Sequence, residues 1–292
     1  MALSGKAGTA PRTGATSTAI DGELSIRKVH KVYDPYGAQV VALQECSLEI
    51  AAGEFVAIVG PSGCGKSTLL NILAGFDTLT AGEIHLDGRP LASVARPPQP
   101  GPDRVVVFQH GALFPWKTVL ENVMYGPLRQ RTMAWRAAEE KAMDLLHRCG
   151  GLERVANSYP AQLSSGMQRR VEIIRALMNE PKVLLLDEPF RAMDSVSKST
   201  MHRHLLEMYG LCRKTIVFIT HDLEEAIYLA DTVIVMTTRP GTVKTVLKIS
   251  LPRPRVPEMM SSHEYLEIKR QVAEGVHEEA KKAFERGERE HA

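Results

Sequence analysis

The chain has 292 residues, 44% of them hydrophobic and 24% charged, a globular composition with enough apolar material for a sizeable core. Lys plus Arg number 36 against 34 for Asp plus Glu, a net charge of +2, which argues against a dedicated nucleic-acid binder with its strong basic excess. No apolar run approaches the roughly 18 residues needed to span a bilayer, and the four cysteines (Cys46, Cys64, Cys149 and Cys212) are scattered without metal-ligand spacing, so they read as reduced thiols.

Residues 1–22 are rich in Ala, Gly, Ser and Thr and lack an apolar stretch of signal-peptide type; they are expected to be a disordered tail. Leu24 to Val32 and Val40 to Ile50 read as strands, the second ending at the turn Ala51-Ala52-Gly53-Glu54. Phe55 to Val59 is a short continuous apolar run, the pattern of a buried parallel strand, and Lys66 to Ala74 is helical. Glu83 to Leu86 and Val105 to Phe108 are strand candidates on either side of the loop Arg96-Pro97-Pro98-Gln99-Pro100-Gly101-Pro102. Helices follow at Thr132 to Cys149 and Ser164 to Asn179, the latter opened by serines suited to an N-cap. Beyond them Val183 to Leu186, Thr215 to Thr220 and Thr232 to Met236 read as strands, alternating with helices at Ser197 to Leu211 and Leu223 to Leu229. That alternation predicts an α/β fold with a mostly parallel sheet covered on both faces. After Leu251 the segment Pro252-Arg253-Pro254-Arg255-Val256-Pro257 is a stiff linker. His263 to Arg289 is a charged helix with Leu266, Val272, Val276 and Phe284 as sparse apolar positions, expected either to pack on the main domain or to contact a partner.

Two segments carry chemistry. Gly60-Pro61-Ser62-Gly63-Cys64-Gly65-Lys66-Ser67 fits G-x-x-x-x-G-K-[ST] between a predicted strand and a predicted helix. Its glycines let the backbone curl so that successive N–H groups, including those around Thr68, face a polyphosphate at the helix N-terminus. Lys66 is placed to bridge the β- and γ-phosphates and the Ser67 hydroxyl to ligate Mg²⁺. Val183 to Leu186 then delivers Asp187 and Glu188 at a strand's carboxyl end, where α/β sheets bind ligands. Asp187 is expected to hold Mg²⁺ through water, and Glu188 to polarise the attacking water.

With these segments, Leu163-Ser164-Ser165-Gly166-Met167-Gln168-Arg169-Arg170 resembles the LSGGQ signature of ATP-binding-cassette (ABC) ATPases. Gln109 matches that family's Q-loop, Asp194 its D-loop, His221 its switch histidine, and Tyr33 the aromatic ring that stacks on adenine. The resemblance covers about 23–251 and implies a P-loop core with an antiparallel β subdomain and a helical subdomain near 113–178. It further implies ATP hydrolysis with Mg²⁺, in a head-to-tail homodimer in which Ser164 and Gly166 of one copy meet the γ-phosphate bound by the other. His221 is then expected to hold the γ-phosphate and water in register with Glu188, and Gln109 to sense Mg²⁺. Ser165, Met167, Arg169 and Arg191 depart from the family pattern, and Ser165 is expected to weaken turnover without abolishing it.

The run Gln109 to Val123, with Leu113-Phe114-Pro115-Trp116 followed by a helix start, is similar to the ATPases of nitrate, sulfonate and taurine importers. Phe114 and Trp116 suit a groove for a helix of a membrane permease, and packing of Trp116 on its own helical subdomain is the other reading. The implied assembly lies on the cytoplasmic face of the membrane, serves a periplasmic or extracellular binding protein indirectly, and involves no nucleic acid. A nucleotide-sensing module or a soluble non-transport ABC ATPase remains the alternative.

Overall fold

The computed structural model describes residues 20–34, 36–191 and 193–286; residues 1–19 of the expected tail and the end of the C-terminal stretch lie outside them. Two sheets organise the chain. Strands β1 (Leu24–Tyr33), β2 (Val40–Ile50), β4 (Ala81–Leu86) and β5 (Arg89–Ser93) form an antiparallel sheet in the order β2-β1-β4-β5. The second sheet has the order β10-β9-β3-β8-β7-β6. It contains β3 (Phe55–Val59), β6 (Arg104–Val107), β7 (Val183–Asp187), β8 (Thr215–Ile219), β9 (Thr232–Met236) and β10 (Val243–Lys248). All its pairings are parallel except β9 with the edge strand β10.

Burial explains the central order. Every residue of β3, β8 and β9 is buried, so these unbroken apolar runs stay in the middle of the sheet with both faces covered. Helix α1 (Lys66–Ala74) packs Leu69, Leu70, Ile72 and Leu73 against one face, in a core shared with the antiparallel sheet. On the other face lie α4 (Ser165–Leu177), α5 (Ser195–Cys212) and α6 (Leu223–Leu229). Helices α2 (Val119–Gln130) and α3 (Trp135–Arg148) pack with α4 as a helical group between β6 and β7.

The sequence reading leaves out two strands and gives only the start of one helix, for identifiable reasons. Strand β5 carries Pro90 and sits at a sheet edge, where a missing N–H is tolerated. Edge strand β10 is half exposed along its length and lacks a buried apolar run. Helix α2 contains Gly126 and Pro127 near its end, both breaker signals, yet a capping box between Thr118 and Glu121 starts it firmly.

The C-terminal helix α7 (His263–Glu285) packs on the domain through part of the expected apolar set, Val272 and Val276, but not the rest. Leu266 and Phe284 are exposed, whereas Tyr265 and Val272 are buried. Glu279, one further heptad along, is also buried. It accepts the Thr238 N–H at 3.0 Å and pairs with Lys244 at 2.9 Å and Lys282 at 2.7 Å. A charged residue thus continues the apolar stripe because its oxygens are fully partnered. Among the described residues, no helix is long and apolar enough to cross a membrane.

Candidate nucleotide site

The order β3-β8-β7-β6 sets the carboxyl ends of four parallel strands side by side, and the loops after β3, β7 and β8 feed candidate residues into one crevice. The loop after β3 is the glycine-rich segment. Gly63 and Gly65 take φ of 75° and 98°, and a Cβ on Gly65 would lie 2.8 Å from the Ala42 carbonyl oxygen. Glycine is therefore required there both for conformation and for space. Gly60 and Ser62 complete the loop, which turns directly into α1 at Lys66. Lys66 is buried and folds over the loop, its Nζ donating to the carbonyls of Gly60 at 2.8 Å and Pro61 at 2.9 Å. Cys64 is buried beneath it, and burial pushes its thiol above the ordinary range.

The loop after β7 brings the acids. Asp187 lies at the end of the strand and hydrogen-bonds the Ser67 side chain; burial and then the neighbouring Glu188 push its carboxyl up, against the pull of Lys66. Glu188 takes φ 42°, in the left-handed region that costs a non-glycine residue about 1–2 kcal/mol. Its N–H donates to the Ile219 carbonyl at 2.9 Å, which pins the strained residue to the end of β8. His221, two residues past β8, places Nδ1 3.3 Å from Glu188 Oε2. Lys66, Ser67, Asp187, Glu188 and His221 therefore share one crevice.

A half-buried acid, pushed toward its protonated form by partial burial and then by a second carboxylate, and touching a serine hydroxyl, is a donor set that a divalent cation relieves. The residues present at this point, Ser67 and Asp187, fit Mg²⁺.

The structure adds partners that motif matching does not reveal. Arg191 places Nη1 3.2 Å from Glu188 Oε2, the same oxygen that His221 approaches. Tyr33 donates its hydroxyl to Asp77 at 2.6 Å and carries Lys31 Nζ 4.7 Å from its ring centroid, so the face away from Lys31 is the one left for a base. Thr68 also hydrogen-bonds the Tyr33 hydroxyl, which sets this ring beside the start of α1. Asp194 caps α5, accepting the N–H groups of Val196 and Ser197. Neither Lys31 nor Asp77 belongs to a motif, and no signal in the sequence singles them out.

Ser164 and Gly166 stand apart. Ser164 caps α4, accepting the Met167 N–H at 3.3 Å, and a Cβ on Gly166 would lie 3.7 Å from Met193 Cε. Among the described residues, no hydrogen bond joins either of them to the glycine-rich loop. Further along α4, Arg169 is buried and grips the Q-loop main chain. It donates to the carbonyls of Phe108 at 2.7 Å and Gln109 at 2.6 Å, and pairs with Glu172 at 2.6 Å. Glu172 in turn accepts the Ala112 N–H at 2.7 Å, and Arg175 donates to the Ala112 carbonyl at 2.8 Å. Burial lowers the pKa of Arg169, and the Glu172 charge opposes that shift. Arg169, which the sequence marks only as a departure from the family pattern, is thus a tie between signature helix and Q-loop.

Beside this tie is a groove of about 220 Å³, walled by Val105, Phe108, Phe114, Tyr125 and Arg175 among others. Phe114 is half-buried, packed 4.7 Å from the Tyr125 ring. Trp116 is 71% exposed and touches Phe114 at 5.7 Å, so it is not packed into its own helical group.

Fold and crevice together define a P-loop nucleoside-triphosphatase, with phosphate loop, acidic strand end and histidine on adjoining parallel strands. The ABC transporter family profile matches residues 43–191, and the chain belongs to that family of ATP-hydrolysing, ATP-binding subunits. Among its relatives is an uncharacterized ABC transporter ATP-binding protein of Methanocaldococcus jannaschii, 40% identical over 90% of this chain and 94% of the relative. The nitrate import ATP-binding protein NrtD of Synechocystis is 44% identical, over 78% of this chain and 83% of its own. Among solved structures, a dimeric ATP-binding cassette in a post-hydrolysis state with ADP and Pi superposes with a TM-score of 0.65. It shares 34% identity and covers 78% of this chain and 100% of its own. The structure of cbiO1 from Clostridium perfringens, part of the ABC transporter complex cbiONQ, superposes with a TM-score of 0.71. It shares 27% identity and covers 87% of this chain and 95% of its own.

Proposed function

We propose that this ATPase powers a small-nutrient importer, as one of two identical copies docked on membrane permease subunits at the cytoplasmic face. The observation that carries the reading is the pairing of the crevice of Lys66, Ser67, Asp187, Glu188 and His221 with an aromatic groove beside the Arg169–Glu172 tie to the Q-loop. The nitrate-import relatives favour nitrate or a similar small oxyanion, such as a sulfonate or taurine, as cargo.

In this reading the phosphate loop amides from Gly60 to Thr68 bind the triphosphate, and Lys66 leaves its own loop carbonyls for the β- and γ-phosphates. Ser67, Asp187 and Gln109 would hold Mg²⁺, which would supply charge neutralisation at the phosphates. Tyr33 stacks on the base. Glu188 orients and deprotonates the attacking water, and His221 holds the γ-phosphate in register with it. Ser164 and Gly166, at the N-terminus of α4, face the γ-phosphate of the second copy, so the lack of contact with the chain's own loop is what a shared site requires. Asp194 lies at the copy–copy boundary. Phe114 and Trp116 receive a permease helix, and a periplasmic or extracellular binding protein supplies the cargo.

Co-expression with the permease genes neighbouring this chain's gene, followed by affinity purification, tests the assembly. A stable complex whose ATPase rises with loaded binding protein is the expected result. Full activity with no association to any permease would overturn the importer reading while leaving the ATPase intact.

A further inference from the structure

A second cavity lies away from the nucleotide crevice, between α5 and the segment after Leu251. Its volume is about 470 Å³, within the range of small-molecule sites. Four guanidiniums line it: Arg203 and Arg213 from α5 and its cap, and Arg253 and Arg255 from the Pro-rich segment.

Their partners differ. Arg253 is paired with Asp231 at 2.7 Å and lies 4.8 Å from the Tyr209 ring centroid, so its charge is answered. Arg255 is buried, and its Nη1 donates to the carbonyls of Ile227, Tyr228 and Ala230. Its Nε is buried and has no hydrogen-bond partner among the described residues. Burial, and next the charge of Arg253, hold its pKa down to about 10. Arg203 and the Arg213 guanidinium make no ion pair among the described residues; Arg213 lies 5.8 Å from the Tyr209 ring centroid. The one carboxylate among the described lining residues, Glu207, is turned to His204 Nδ1 at 3.2 Å.

The buried Arg255 N–H without an acceptor is costly, and the exposed guanidiniums of Arg203 and Arg213, which make no ion pair among the described residues, leave the same concavity with positive charge for an anion to answer. Planar guanidinium forks match phosphate oxygens two at a time. The volume exceeds what a bare ion needs, and Leu206 and Pro254 in its lining offer apolar surface for an organic body. From the Arg203–Arg213–Arg255 cluster we infer that this cavity is a binding site for a small organic phosphate, separate from the nucleotide crevice and independent of the importer reading.

Calorimetric titration of the full chain with inorganic phosphate and with glycerol 3-phosphate tests this. The phosphate loop also attracts phosphate, so the titrations are repeated on Lys66→Ala and on the double variant Arg203→Ala/Arg213→Ala. The expected result is binding that survives Lys66→Ala and weakens at least about tenfold in the double variant, whose ATP hydrolysis is unchanged. Should the double variant fold poorly, Arg203→Gln alone, at an exposed wall position, is expected to weaken binding as well. Vesicles containing phosphatidic acid distinguish the source. Co-sedimentation that depends on Arg203 and Arg213, without a response to the soluble phosphates, assigns the site to a lipid headgroup. No binding of either kind overturns the proposal, as does binding lost only in Lys66→Ala, or a site that takes citrate and neither phosphate.

Discussion

The two halves of the nucleotide site are built by opposite means. The phosphate-loop half is made of backbone: glycines at positive φ, amides at a helix start, and a lysine that caps its own loop carbonyls, all anchored to fully buried strands. The signature half is held by side chains, with Arg169, Glu172 and Arg175 spanning from α4 to the Q-loop main chain. The first half is a rigid cradle fixed by the sheet. The second is a lever whose position depends on a few buried or half-buried charges, and two of them, Glu172 and Arg175, also line the groove beside Phe114. Ligand binding and mechanical transmission are thus assigned to different kinds of interaction.

Breaking the cradle's chemistry should give the largest effect. Glu188→Gln keeps the shape of the crevice but removes the base, so steady-state hydrolysis should fall by about 10²- to 10⁴-fold while ATP binding persists. Phosphate release and nucleotide titration on the same preparation check both halves of that statement. Lys66→Ala should instead weaken ATP binding itself, by about 10- to 100-fold from loss of one charge-assisted contact, read by equilibrium titration.

The lever should fail differently. Arg169→Ala leaves Glu172 buried without its partner, which costs about 3–5 kcal/mol in stability. Denaturant unfolding should show that loss, and Arg169→Met combined with Glu172→Leu should recover much of it. Equal destabilisation by the single and double variants would show that the pair's charges are not what holds the Q-loop.

A smaller effect sharpens the cradle side. Arg191 shares Glu188 Oε2 with His221, so Arg191→Ala should free that oxygen and raise basal turnover a few-fold, with KM for ATP little changed. A fall in kcat would make Arg191 a helper of the reaction instead of a restraint on the base.

The smallest effect concerns the support behind the cradle. Glu279 on α7 holds the Thr238 N–H; next to it, Arg239 donates to the Gly63 carbonyl at 3.4 Å. Burial alone would raise the Glu279 pKa, but Lys282, Lys244 and the Thr238 N–H outweigh it and bring it to about 2. The folded value is below the ordinary one, so the stabilisation is present above about pH 4.5 and is lost as pH falls toward 2. Wild type and Glu279→Gln should therefore differ in stability at pH 7 and converge near pH 2.

The contrast between the halves also explains what was legible in the sequence. The cradle is local: glycine spacing, an apolar strand and the acids at a strand end are all readable in runs of under ten residues. Strand β3 and helices α1 and α6 fall where the sequence places them because burial leaves an unbroken pattern. The lever is not local. Arg169 and Gln109 are sixty residues apart, and nothing in either segment tells that one grips the other's carbonyl. The same holds for Tyr33 with Asp77 and for Glu279 with Thr238. On α7, Leu266 and Phe284 look like core positions, yet the heptad through Tyr265, Val272 and Glu279 wins, because the buried Glu279 carboxylate is partnered by Thr238, Lys244 and Lys282.

Sedimentation velocity of Glu188→Gln with and without Mg-ATP tests the shared site most directly. A shift from monomer to dimer on adding ATP, with two nucleotides retained per dimer and the shift abolished by Ser164→Glu, is the expected result. A protein that saturates with ATP yet stays monomeric at every concentration would contradict a pocket closed by two copies.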